Sequence, residues 1–146
     1  AEWYLKNNKL DLYQSEIDVL IDQYPYIPTY MENAAKVFLS QRNEEMAHYY
    51  FSKHYYLEPS ALNSKWLGIL SLWKKENNKA IKFLKESAVY NNKDAQTYYN
   101  LAQAYYNKGN YSESLNSINR CLVINSKFPQ ADRFREVIKY ELRKRS

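Results

Sequence analysis

The sequence has few of the residues that interrupt helices. Its 146 residues include only 2 glycines and 4 prolines. Long segments can therefore continue without a break, which favours helices over a sheet of many short strands. It has a single cysteine, Cys121, so an internal disulfide is excluded. It also has no apolar run of 18 residues, so no membrane-spanning helix is predicted.

Motifs for catalysis and metal binding are also missing. The two histidines, His48 and His54, are six residues apart and would not face one metal ion from a helix. There is no glycine-rich phosphate loop, zinc-protease motif or nucleophile elbow. The sequence therefore predicts no enzyme, no catalytic residue, no metal and no cofactor.

No signal peptide is recognisable, and the chain starts with Ala-Glu-Trp rather than with Met. We therefore expect a processed form or an excised domain. Its expected location is the cytoplasm or the bacterial periplasm.

Positive charge is modest and is concentrated near the end of the sequence. The formal net charge is +5, and residues 129–146 contribute +3 of it, from six basic and three acidic residues. A nucleic-acid-binding protein more often carries a dense basic stripe along its whole body. Cations at the end of a helix are also favoured by the helix dipole. The pattern therefore argues against nucleic acid as the partner.

What the sequence does contain is a 34-residue unit, residues 95–128. Small and large residues stand at fixed places in it: Tyr98, Leu101, Ala102, Tyr105, Gly109, Tyr111, Ser114, Ile118, Cys121 and Leu122. The same spacing recurs upstream, with Leu67, Gly68, Ala80 and Leu84 in residues 61–94, and with Ala34, Ala35, Ala47 and Phe51 in residues 28–60. The unit resembles the tetratricopeptide repeat, a helix-turn-helix motif of this length.

The resemblance implies an all-α fold, a right-handed α-solenoid of stacked antiparallel helix pairs. We expect one domain over 1–146, with a partial repeat at 1–27, repeats at 28–60, 61–94 and 95–128, and a capping helix at 129–146. The partial repeat depends on Tyr4, Tyr13, Ile17, Leu20 and Ile21. Gly109 is expected in a left-handed turn, with Asn43 and the pair Asn77-Asn78 in similar turns. Pro129 is expected in the first turn of the capping helix.

The resemblance also implies a function, that of a scaffold holding a segment of a partner protein in a concave groove. The family's groove-facing positions correspond here to Lys65, Trp66, Ile69, Trp73, Gln96, Tyr99, Asn100, Gln103, Tyr106 and Asn107. Amides and tyrosines suit an extended peptide, because they can hydrogen-bond its backbone and contact its side chains. One version of the groove clamps the C-terminal carboxylate of chaperones with Lys, Asn and Arg side chains. That set is absent from the corresponding positions, which argues against a chaperone-tail receptor.

Two questions stay open at the level of sequence. Residues 61–74 are apolar on nearly every side, so Trp66 and Trp73 belong either to the groove or, if the helix shifts by two residues, to the core. The alternative function is a structural subunit of a larger bacterial envelope, secretion or motility complex, with contacts through the ends or the convex face of the stack. Self-association is compatible with either function.

Overall fold

A computed structural model describes the backbone of residues 2–145 and the side chains of residues 6–145. This part of the chain forms eight α-helices and no strand: α1 (Glu2–Gln23), α2 (Pro28–Ser40), α3 (Glu44–Leu57), α4 (Ala61–Trp73), α5 (Asn77–Tyr90), α6 (Ala95–Asn107), α7 (Tyr111–Ile124) and α8 (Ala131–Lys144). The all-α fold class predicted from the sequence is confirmed.

The helices form two compact units, residues 1–59 and residues 60–146. In the first unit, α2 pairs with α3 and also contacts α1. In the second unit, α4 pairs with α5, α6 pairs with α7, and α8 packs against α7. The two helices of each pair are joined by a short turn, as expected for antiparallel neighbours. The division falls next to the predicted boundary between repeats 28–60 and 61–94, and the assignment of 1–146 to one domain stays a prediction.

Aromatic rings fill the core of the first unit. The rings of Phe38 and Tyr50 stack with their centroids 5.6 Å apart. The Tyr50 hydroxyl donates a hydrogen bond to Asp18 Oδ1 at 2.6 Å, which ties α3 to α1. Burial, followed by this contact with Asp18, raises the pKa of Tyr50. Ile17 and Ile21 of α1, two of the residues on which the predicted partial repeat depends, are buried, whereas the side chain of Tyr4 lies outside the described residues.

Small residues allow close helix packing in the second unit. A methyl group added to Gly68 would lie 2.6 Å from Leu84 Cγ, so α4 and α5 approach to a distance that only glycine permits here. Ala102, which occupies the position equivalent to Gly68 in the next repeat, is fully buried, and so is Ala80 of α5. Ser114 stands where the two preceding repeats have Ala47 and Ala80, and its hydroxyl donates a 2.7 Å hydrogen bond to the Ala102 carbonyl. The buried hydroxyl is thereby satisfied, and the serine is tolerated.

The turns within the helix pairs correct one prediction. Gly109 has φ 76°, as expected, but the equivalent left-handed residues are Arg42 (φ 59°) and Lys75 (φ 62°), not Asn43 or Asn77. Asn43 instead caps α3 by accepting a hydrogen bond from Met46 N, and Asn77 is the first residue of α5.

The reason lies in the backbone hydrogen bonds that end each first helix. The amide groups of Asn43, Glu76 and Asn110 each donate to a carbonyl five residues earlier, at 2.9 Å. This bond is typical of a Schellman turn, which holds the preceding residue left-handed. The register of the turn, and not the side chain, decides which residue takes that conformation.

The start of the last helix is also corrected. Pro129 was expected in its first turn, but α8 begins at Ala131. Gln130 precedes the helix in the left-handed conformation, with φ 63°. Pro129 therefore lies in the turn before α8, where its missing amide proton removes no helical hydrogen bond.

His54 makes the stability of the first unit depend on pH. Its side chain is 5% exposed, and Nδ1 has no hydrogen-bond partner among the described residues. Burial lowers the pKa of His54, and Lys36 adds to this effect, while Glu32 and Glu58 oppose it. In the unfolded chain its pKa is about 6.5. Stability is therefore fully present above that pH and is lost as the pH falls below it, because the unfolded chain binds a proton that the folded chain excludes.

We expect the free energy of unfolding to fall between about pH 7 and pH 5, and His54→Leu to flatten this dependence. Urea denaturation followed by circular dichroism at a series of pH values measures it. His48→Gln is the matched control, because it removes the other histidine and should retain the slope. A slope that persists in His54→Leu would assign the effect to other groups.

Candidate functional site

A cleft of about 360 Å³ lies where α4 and α6 end and α8 begins. Its lining residues are Leu72, Trp73, Gln103, Tyr106, Asn107 and Phe134. The helical period brings them together, since Gln103, Tyr106 and Asn107 are three and four residues apart and share one face of α6. Helices α4, α6 and α8 thus each contribute side chains to one concave surface.

Trp73 is the most exposed large aromatic residue of this cleft. It is the last residue of α4 and is 51% exposed. In the same cleft, the ring of Tyr106 packs edge-on against Phe134, with centroids 5.5 Å apart, and at a tilted angle against Tyr111, with centroids 5.2 Å apart. Phe134 in turn contacts Tyr99 at 5.7 Å. One indole is therefore available to a ligand, next to an aromatic wall that is already packed.

Two amide side chains give the cleft its polar groups. Asn107 donates through Nδ2 to Asn77 Oδ1 at 3.2 Å, at the exposed rim. Gln103 is half-buried beside it. An amide carries both donors and acceptors, so these side chains can pair with the backbone of an extended peptide.

Lys65, which the sequence placed in the groove, is held by an ion pair. Its Nζ lies 2.9 Å from Asp94 Oδ2 and 3.3 Å from Gln96 Oε1. Asp94 also caps α6, accepting a hydrogen bond from Gln96 N at 3.0 Å. Burial raises the pKa of Asp94, but the hydrogen bonds and charge of Lys65 and the Gln96 amide outweigh this effect and leave the pKa below its usual value. Lys65 and Gln96 thus connect α4 to the start of α6.

Ile69 and Asn100 lie inside the protein and not on the groove surface. Ile69 is 2% exposed and belongs to a core cluster with Leu84 and Leu101. Asn100 is 8% exposed, and its Nδ2 donates to the Gln96 carbonyl at 2.8 Å. The physical reason is that α4 packs against both α5 and α6, which covers two sides of an apolar helix.

The two tryptophans have different environments. Trp66 is partly buried against the same core cluster, whereas Trp73 reaches the cleft. Of the ten predicted groove residues, the structure brings Trp73, Gln103, Tyr106 and Asn107 together here.

Leu72 and Phe134 line the cleft but are not among the ten predicted groove residues. Phe134 lies in the segment that was predicted only as the capping helix, residues 129–146. Its one sequence signal was an apolar residue at a helical period in a charged segment.

The side chains of residues 6–145 offer neither a metal site nor a membrane span. No group of three His, Cys, Asp or Glu side chains in this part could hold a metal ion. None of the helices described combines the length and the apolar character needed to cross a membrane.

Comparison with known proteins identifies a repeat and a fold. The tetratricopeptide repeat family model matches residues 95–128. No curated protein sequence matches the chain. The solved structure of YrrB, described as a tetratricopeptide protein with an unusual peptide-binding site, is 15% identical with a TM-score of 0.82, covering 99% of this chain and 75% of that one.

Two further structures share the fold. The second tetratricopeptide domain of human RPAP3, in complex with an HSP70 peptide, is 15% identical with a TM-score of 0.70, covering 77% of this chain and 98% of that one. The APC/C hetero-tetramer Cut9-Hcn1 is 16% identical with a TM-score of 0.73, covering 92% of this chain and 28% of that one. At these identities the likeness concerns the fold alone.

Proposed function

We propose that this chain, which belongs to the tetratricopeptide repeat family through its unit at residues 95–128, is a protein-interaction scaffold that holds a partner segment in the cleft beside Trp73. Proteins of this family and fold are generally interaction modules without enzymatic activity. The partner segment would enter where α4, α6 and α8 meet.

The half-exposed indole of Trp73 is the observation on which the proposal depends. A large ring at 51% exposure loses contact with water when a ligand covers it, which is favourable. Aromatic residues in concave surfaces are where binding energy concentrates. The packed rings of Tyr106 and Phe134 are already ordered, so a ligand would not have to immobilise them.

The peptide complex of the human RPAP3 domain supports a peptide as the class of ligand. It does not support an HSP70 peptide as the ligand of this chain. The only lysine among the predicted groove residues, Lys65, already pairs with Asp94 at 2.9 Å. A ligand carboxylate would have to displace Asp94 from it and leave that half-buried carboxylate without its cation.

A second candidate function is assembly through the second helices of the repeats. Val89 of α5 and Val123 of α7 occupy equivalent positions and are 84% and 80% exposed. Apolar side chains so exposed at a repeated position favour a contact surface on that side. The description of Cut9-Hcn1 as a hetero-tetramer is compatible with such a role.

Selection from a phage-displayed library of short random peptides tests the proposal. We expect selected peptides to lose about 30-fold or more in affinity for Trp73→Ala, since a hot-spot residue contributes about 2 kcal/mol or more. Fluorescence anisotropy of the labelled peptides measures the affinity, and circular dichroism verifies the fold of each variant.

Val89→Ala is the matched control, because it shortens an exposed apolar side chain of another helix and should bind as the parent does. Peptides that bind Trp73→Ala at full strength contradict the proposal. If they are instead lost by a Val89→Asp and Val123→Asp double variant, the second candidate is favoured.

A further inference from the structure

Basic side chains lie at the rim of the Trp73 cleft, in the turns that follow α4 and α6. Lys75 and Lys108 line a shallow depression of about 400 Å³ between these turns. The depression and the cleft are lined by neighbouring stretches of chain, because Lys74 alone separates Trp73 of the cleft from Lys75 and because Asn107 of the cleft immediately precedes Lys108. The hydrogen bond from Asn107 to Asn77, at 3.2 Å, links the two turns.

Neither of these two lysines is paired with a carboxylate in the part of the chain whose side chains are described. Glu76 lies in the same depression, but it pairs with Lys79 at 3.0 Å. Within the described residues, Lys75 and Lys108 form no ion pair, and both are exposed. The depression therefore has two positive charges without an internal partner.

Arg145 brings a third cation to the same rim. Its guanidinium lies 4.6 Å from the centre of the Tyr111 ring, and Nη2 would be 3.9 Å from a methyl group on Gly109. Tyr111 itself contacts Tyr106 of the cleft at 5.2 Å. The nearby carboxylate of Glu141 is engaged with Lys144 at 3.8 Å. Arg145 thus extends the positive rim from the turn after α6 to the end of α8.

We propose that the partner segment is an acidic peptide with one large apolar or aromatic anchor. The anchor would lie against Trp73, Tyr106 and Phe134, and the carboxylates would face Lys75, Lys108 and Arg145. The inference rests on the proposed function and adds the chemistry of the ligand. Complementary charge at a rim accelerates encounter and rejects partners of the wrong sign, so basic segments would be excluded.

A single-stranded nucleic acid is the other polyanion that aromatic and basic residues can bind. Such a ligand needs several exposed rings on which successive bases can stack. Here Trp73 is the half-exposed ring, while Tyr106 is covered by Phe134 and Tyr111. One free ring and a cleft of about 360 Å³ fit one side-chain anchor better than a row of bases.

Sequencing the peptides selected on the parent protein gives the first test. We expect Asp and Glu to be enriched beside an aromatic or large aliphatic residue. The tightest selected peptide then serves as the probe. Lys75→Glu with Lys108→Glu should weaken its binding by about tenfold, and added salt should reduce the difference between variant and parent.

Lys93→Glu with Lys127→Glu is the matched control. It makes the same change in net charge at exposed positions in other turns and should bind as the parent does. If both double variants weaken binding equally, the rim has no special role and the inference is overturned.

The remaining outcomes separate the inference from the proposed function. Peptides that depend on Trp73 but show no acidic enrichment, and that bind the Lys75→Glu and Lys108→Glu variant at full strength, overturn the inference and leave the proposed function standing. Failure to obtain any Trp73-dependent peptide overturns both. An oligothymidine that binds more tightly than the peptides and displaces them overturns the inference in favour of nucleic acid.

Discussion

Ile69→Ala is expected to lower the free energy of unfolding by about 2–5 kcal/mol, the range for a large aliphatic residue removed from a core. Ile69 is 2% exposed and packs in a cluster with Leu84 and Leu101. The cavity left by the truncated side chain would be lined by both neighbouring helices, which limits its collapse. Urea denaturation followed by circular dichroism measures the change.

Trp73→Ala is the comparison variant. Tryptophan is larger than isoleucine, but we expect its truncation to cost less stability. At 51% exposure, its loss should cost no more than about 1 kcal/mol, as for other substitutions away from the core. The two variants therefore separate a residue that stabilises the fold from one that is available to a ligand. Equal losses of stability in both would place Trp73 in the core and would remove the basis of the proposed binding site.

Gly68→Ala should destabilise the second unit by about 1–3 kcal/mol, the usual cost of overpacking. In an exposed helix the same substitution would be favourable by about 0.5–1 kcal/mol, because glycine is a poor helix former. The steric cost wins here, since the added methyl group would lie 2.6 Å from Leu84 Cγ and 3.2 Å from the Leu84 backbone nitrogen. Neither helix can move away without disturbing its other contacts.

A double-mutant cycle with Leu84→Ala isolates this contact. Leu84→Ala alone should cost about 2–5 kcal/mol, because the residue is fully buried. Together with Gly68→Ala it removes the clashing Cγ, so the combined loss should be smaller than the sum of the single losses. Strictly additive losses would show that the cost of Gly68→Ala does not arise from the close contact with Leu84.

The helix pairs could be predicted from sequence because their signal is local and repeated. The spacing of Gly68, Ala80 and Leu84 recurs as Ala102, Ser114 and Ile118, and each residue is buried as the pattern requires. The turns were less predictable. Asn43 looked like the left-handed residue by composition, but the hydrogen bond from its own amide to Phe38 places Arg42 there.

The cleft could be predicted only in part, because it depends on which neighbours cover α4. An apolar helix gives no periodic signal to distinguish Ile69, which α5 and α6 cover, from Trp73, which projects at the helix end. Phe134 contacts Tyr106 from 28 positions further along the chain. A contact between residues so far apart in sequence cannot be predicted from the pattern of either segment alone.

The contribution of Phe134 makes the cleft conditional on the docking of α8. Phe134 supplies a lining residue and supports the ring of Tyr106 at 5.5 Å, so a molecule in which α8 has detached has no complete site. Local opening of this helix therefore competes directly with ligand binding. By mass action, an occupant of the cleft holds α8 closed and slows amide exchange along it, although it need not touch most of that helix. Binding and the order of the last helix are thus two measures of one equilibrium.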